Sequence, residues 1–171
     1  MTSTTSARDV FVDGLRNAHA MEKQALSIME PQLKRLEHYP EVSAMLDQHI
    51  RETKGQIARL DQILEGIAES ASTLKDMSLS FTGTMAAVTH SMASDEILKN
   101  SMANFAFEHF EIAAYTALIT AAEEAGATTA VPLLEQNLAE ERRMAGLIED
   151  SLPTVTRQYI ALSASDQRAD I

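Results

Sequence analysis

The chain has 171 residues, 45% of them hydrophobic and 23% charged, with a formal net charge of -11 and no cysteine. That length suits one domain over residues 1–171 with a core of ordinary size, and the missing cysteine excludes disulfides, thiolate metal sites, iron–sulfur clusters and a cysteine nucleophile. The negative charge, with no cluster of Lys and Arg to offset it, argues against direct nucleic-acid binding. There is no apolar run of about 18 residues to cross a bilayer. The opening "MTSTTSARDVFVDGL" has neither a basic start nor an apolar stretch, so a cytoplasmic protein is expected.

Helical periodicity runs through most of the chain and strand alternation is absent. Residues 6–37 place Phe11, Leu15, Ala18, Leu26 and Met29 on one helical face, and Glu22 falls on that face. Pro31 lies inside this pattern and predicts a kink, with the helix continuing beyond it. Pro40 opens a second helix over 40–68, whose buried stripe takes Met45, His49, Thr53 or Glu52, Gln56, Leu60 and Ile63. Residues 69–93, rich in Ser, Thr and Met, read as a long connection with at most a short helix near Thr84 to His90. Ser94 or Asp95 is placed to cap a third helix over 94–125, which Gly126 ends in the left-handed conformation. Thr128 or Thr129 is placed to cap a fourth over 129–152, with Pro132 in its first turn and Pro153 beyond its end. The extension from about residue 155 to 171 is weakly patterned; "VTRQYIALS" is able to add a short packed helix and "ASDQRADI" is expected to fray.

Short turns make helices one and two, and three and four, antiparallel neighbours. The long link between helices two and three can travel the length of a bundle and make those two parallel. The expected fold is therefore an all-α, ferritin-like four-helix bundle with a long crossover between helices two and three.

Each helix sends a glutamate inward near its middle. In "FEHFEIAAY" the stripe runs through Phe105, Glu108, Ile112 or Glu111, Tyr115 and Leu118, and His109 borders it. On helix four it runs through Leu134, Leu138, Glu141, Ala145 and Ile148, with Glu140 pointing outward. Glu22, Glu52, Glu108 and Glu141 thus converge, with no basic residue on those faces to pair them. Burying one unpaired carboxylate costs several kcal/mol, so protonation or a cation must relieve four. Two divalent ions balance four carboxylates, and oxygen plus imidazole ligands suit iron or manganese. Four-helix carboxylate proteins use a Glu on two helices and a Glu-x-x-His pair on the other two. In this chain His49 precedes Glu52 by three residues, Met144 stands three residues after Glu141, and Glu111 can replace the missing imidazole. The expected metal ligands are therefore Glu22, His49, Glu52, Glu108, Glu111 and Glu141, holding two iron (or manganese) ions. His109 is read as a partner that orients a carboxylate, and Tyr115 as packing or as a hydrogen-bonding neighbour of a ligand. His19, His38 and His90 read as surface or structural, and the nine methionines as core and loop filling.

The stretches "AMEKQAL", "HIRETKGQIARLDQIL", "FEHFEIAAY" and "LLEQNLAEER" resemble the YciE/YciF family of bacterial ferritin-like proteins, in order and spacing, from Val10 to about Leu152. The resemblance implies a ferritin-like bundle, usually dimeric, with a di-iron or similar centre and an association with bacterial stress responses. The helix-three Glu-x-x-Glu is also similar to that of rubrerythrins, whose di-iron centres reduce peroxide; this chain lacks their cysteine-ligated iron and their helix-four histidine. Two function classes follow: a dinuclear non-haem iron centre that reacts with oxygen or peroxide, or a structural stress protein whose metals replace a core layer. Iron storage is a weaker third, since it needs a large shell and no assembly signature is legible. The alanines on several faces of helix three, such as Ala113, Ala117 and Ala121, predict a homodimer.

Overall fold

The computed structural model describes residues 5–67, 94–165 and 167–171. Within them the chain forms four long helices: α1 (Ala7–Leu33), α2 (Pro40–Gly66), α3 (Glu96–Glu124) and α4 (Val131–Ala164). The described residues contain no strand. The short helix expected near Thr84 to His90, and His90 itself, lie outside the described residues.

Cross-helix contacts fix the directions. His19 meets Asp61 at 3.0 Å and Lys54 meets Glu30 at 3.0 Å, so α2 runs antiparallel to α1. Gln32 and Asn104 exchange hydrogen bonds while Tyr115 reaches back to Glu22, so α3 is antiparallel to α1 as well. Both are antiparallel to the same helix and hence parallel to each other. Helix α1 packs on α2 and α3, and α4 packs on α3 and α2, leaving α2 and α3 across the diagonal. This is the ferritin-like arrangement expected from the sequence; an up-down-up-down bundle would put α1 against α4. The helices span roughly 40–50 Å at 1.5 Å per residue, and α2 ends at the opposite end of the bundle from the start of α3.

The helix ends follow local chemistry, with several departures from expectation. Ser6 caps α1 in a reciprocal capping box with Asp9. Pro31 sits in the last turn, and α1 stops at Leu33 instead of running on to residue 37. Asp95 and Ala130 stand at the starts of α3 and α4 without a side-chain capping bond, so neither Ser94 nor Thr128 nor Thr129 caps these helices. Asp95 instead pairs with Lys99 at 2.6 Å. Gly126 adopts φ 70°, as expected. A Cβ there strains the backbone, so Gly126→Ala should cost about 1–2 kcal/mol, read as a fall of roughly 2–8 °C in Tm.

The largest departure is α4, which runs through Pro153 to Ala164. Proline removes one donor, the acceptor it leaves is on Glu149, and both residues are exposed, so water can satisfy the carbonyl. Val155 then packs with Tyr39 and Ile97 in a second small core. The tail is held down, not frayed. Tyr39 donates to the Ala169 carbonyl at 2.5 Å, Ile97 N–H to the Asp170 carbonyl at 2.9 Å, and Ala169 and Ile171 are buried.

Candidate metal centre

The main core fills the bundle with Phe11, Leu15, Met21, Leu60, Tyr115 and Leu134, and polar groups interrupt it midway. The helical period explains their placement. On α2 the stripe settles on Thr53, not Glu52, along with His49 and Gln56. On α3 it settles on Glu111, not Ile112, and Phe107 replaces Phe105. Glu22, His49, Glu108, Glu111 and Glu141 are all at most 2% exposed. Potential ligand atoms of His49, Glu108, Glu111 and Glu141 lie within 4.8 Å of one another. Glu22 borders this group from α1, its carboxylate held by the Tyr115 hydroxyl, which accepts in turn from Asn137 at 2.9 Å.

Glu52 is placed differently from the other five. His49 Nε2 faces inward, 3.2 Å from Glu108 Oε1 and 3.8 Å from Glu141 Oε2, whereas Nδ1 faces Glu52 at 3.8 Å. Glu52 lies at the edge, its side chain 17% exposed, bonded by Arg143 at 2.6 Å and Gln48 at 2.9 Å. The sequence reading had no basic residue on these faces; Arg143 and Arg59 correct it. Both are long side chains that start outside the stripe and reach over it, Arg59 to Asn137 and Glu140. Glu140 is thus engaged away from the cluster. His109 is exposed and stacks edge-on against Phe105 with ring centroids 4.5 Å apart, so it orients no carboxylate here.

The electrostatics of the cluster are those of crowded, dry carboxylates. Burial, then the charges of Glu22, Glu141 and Glu108, push the Glu111 carboxyl well above its ordinary range. Burial raises Glu22 to about 8 against the opposing bond from Tyr115, and raises Glu141 to about 10 with help from Glu22 and Glu108. For His49, burial works against the cation, but its contact with Glu108, the Glu52 carboxylate facing it and the charges of Glu108 and Glu141 outweigh it, lifting the imidazole to about 10. Glu52 goes the other way, to about 2, through the His49 imidazole that faces it and its bonds with Gln48 and Arg143.

Buried polar atoms normally have partners. Five carboxylate oxygens here have none among the described residues: Glu22 Oε2, Glu108 Oε2, both oxygens of Glu111, and Glu141 Oε2. Hard oxygen donors with one imidazole fit an iron or manganese ion, and the unpartnered oxygens are those a cation would take. Gln56, placed on the buried stripe by the sequence, donates to Glu141, and one neighbour escaped the sequence reading: the fully buried Asn137, which anchors Tyr115. Asn137 sits one turn before Glu141 on the same face, so its spacing carried the signal.

Residues 6–161 match the family described as a domain of unknown function, DUF892. The chain belongs to this family. Protein YciF of Escherichia coli K12 is 33% identical over 142 residues, covering 78% of this chain and 82% of that protein. The crystal structure of the E. coli stress protein YciF superposes with a TM-score of 0.68 at 28% identity, over 87% of this chain and 96% of that one. A protein of known structure from Xanthomonas campestris pv. campestris gives 0.77 at 30% identity, over 93% of this chain and 99% of that one. The YciE/YciF resemblance read from the four helix motifs is thereby borne out.

Proposed function

We propose that this DUF892 chain is a single cytoplasmic ferritin-like unit that holds two iron or manganese ions between Glu22, His49, Glu108, Glu111 and Glu141. The five unpartnered carboxylate oxygens at mid-bundle carry this reading. A pair of such ions, when bound, supplies electron transfer toward oxygen or peroxide. The chain's own residues do the positioning: Tyr115 and Asn137 hold Glu22, Gln56 holds Glu141, and Glu52, fixed by Arg143, stands on the outer nitrogen of His49, where it is placed to orient the imidazole or to join the ligands. The name given to the E. coli relative, a stress protein, supports a role in stress response.

A second reading, metals that only stabilise the bundle, is favoured by the near-complete burial of the five side chains. Elemental analysis of freshly purified protein, with absorption spectra before and after peroxide, separates the possibilities. Two metal equivalents and a spectral change support the reactive centre. Two equivalents with an inert spectrum support the structural one, and fewer than one equivalent after iron or manganese supplementation contradicts both.

The proposal includes a homodimer. Val10 and Phe110 are 51% and 44% exposed, and they line a groove of about 360 Å³ on the α1/α3 face with Ala114, Ala117 and Ala121. Light scattering should give twice the 18.7 kDa chain mass at micromolar concentration, and Phe110→Glu should shift it toward one. A wild-type mass near one chain contradicts the dimer.

A further inference from the structure

Helices α2 and α4 touch least of the four neighbouring pairs, and the gap between them is a cleft of about 520 Å³. Organic ligands occupy pockets of roughly 300–1,000 Å³, while a water-sized molecule takes about 30 Å³, so the cleft is far larger than oxygen or peroxide requires. Its apolar lining is Val42, Met45, Met144, Leu147 and Val155, interleaved with Gln48, Ser151, Thr154 and Gln158, and one end reaches His49 and Glu52 at the edge of the cluster. His49 is 1% exposed and its Nδ1, on the Glu52 side, has no hydrogen-bond partner among the described residues.

Charge is placed unevenly along the cleft. Arg143 is at the His49 end, its side chain 51% exposed, with Nη2 on Glu52 at 2.6 Å. A guanidinium has five donors in a planar fork suited to carboxylates, so Glu52 leaves Arg143 with donors for a second acid. Further along stand Asp150 and Glu41, both exposed, which repel an anion and leave the Arg143 end as the place for one. From Arg143 to Val155 the wall of α4 runs about 18 Å, enough for an extended chain.

We propose that the α2/α4 cleft binds a medium-chain organic acid, its carboxylate on Arg143 beside His49 and Glu52 and its hydrocarbon chain along Met45, Leu147 and Val155. Apolar walls hold the chain, and Arg143, the one arginine or lysine among the described residues lining the cleft, selects the head. This binding does not depend on metals being in the centre. If they are there, an organic acid is the substrate class brought to its edge.

The test is calorimetric titration of the full-length chain, metal content measured in parallel, with decanoate, decanol and decylamine below their micelle concentrations. Decanoate should bind once per chain, decanol at least tenfold more weakly, and decylamine not detectably. Leu147→Trp should fill the cleft and weaken decanoate at least tenfold; Leu147 is 47% exposed and outside the cluster, so an unchanged Tm certifies the fold. Arg143→Met should abolish the preference for decanoate over decanol. No decanoate binding, equal binding of decylamine, or affinity unchanged in both variants would overturn the proposal. Metal content then reads the centre separately from the cleft.

Discussion

Metal-free protein should melt about 5–15 °C higher at pH 5 than at pH 7.5, the reverse of the metal-loaded form. The folded-state carboxyls of Glu22, Glu111 and Glu141 are raised, so each remains protonated in the folded chain after its unfolded counterpart has ionised. Such groups contribute fully below their unfolded value near 4.5, and the contribution is lost as pH rises through about 8 for Glu22 and about 10 for Glu141. His49, raised to about 10, adds the same sign between its ordinary 6.5 and that value. Glu52, lowered to about 2, acts oppositely: its contribution is present above 4.5 and lost as the solution is acidified toward 2. The metal-free optimum therefore lies near pH 5, with about 2–4 kcal/mol lost by pH 7.5. Thermal melts of chelator-treated and reconstituted protein across this range check it. A metal-free Tm that rises between pH 5 and pH 7.5 would mean that these carboxylates are ionised and content.

Replacing Glu111 by glutamine should have opposite effects on the two forms. Both Glu111 oxygens are buried without partners, and three glutamates surround the side chain. An amide keeps the volume, is neutral without taking up a proton, and offers two donors to neighbouring carboxylates. Without metal at pH 7.5, Glu111→Gln should gain about 1–3 kcal/mol, because the folded chain no longer has to keep on this side chain a proton that the unfolded chain has lost. With metal present it should bind fewer equivalents and be less stable than wild type. Glu52→Ala should differ. Glu52 is paired with Arg143 and faces His49, so its loss should cost the metal-free form about 1 kcal/mol. Melting curves of the three proteins in chelator, with metal analysis alongside, separate these outcomes; a destabilised metal-free Glu111→Gln would contradict the reading of crowded carboxylates.

The helical period alone was enough to bring Glu22, His49, Glu108 and Glu141 to the interior, because a 3.6-residue repeat leaves little freedom in which face is buried. It was too coarse to separate Glu52 from Thr53, Ile112 from Glu111, or Phe105 from Phe107, which differ by one or two residues on a stripe over 100° wide. Side-chain reach is invisible to periodicity. Arg143 and Arg59 start outside the stripe and arrive over it by long flexible stems. Pro153 misled for a different reason: proline ends a helix when its lost hydrogen bond is buried, and here that bond lies on the solvent side. The tail was misread because its anchors, Tyr39 and Ile97, are more than 70 residues away in sequence. Parallel α2 and α3 were legible because helix lengths and link lengths leave few topologies.

In the proposed function, these buried glutamates hold protons until metal replaces them. Anaerobic calorimetric titration of the metal-free chain with iron(II) at pH 7, repeated in buffers of different ionisation enthalpy, measures stoichiometry and proton release together. Two equivalents should bind per chain with release of at least two protons, because Glu22, Glu111 and Glu141 must all ionise to act as ligands. Binding without proton release, or no binding in wild type, would contradict the account.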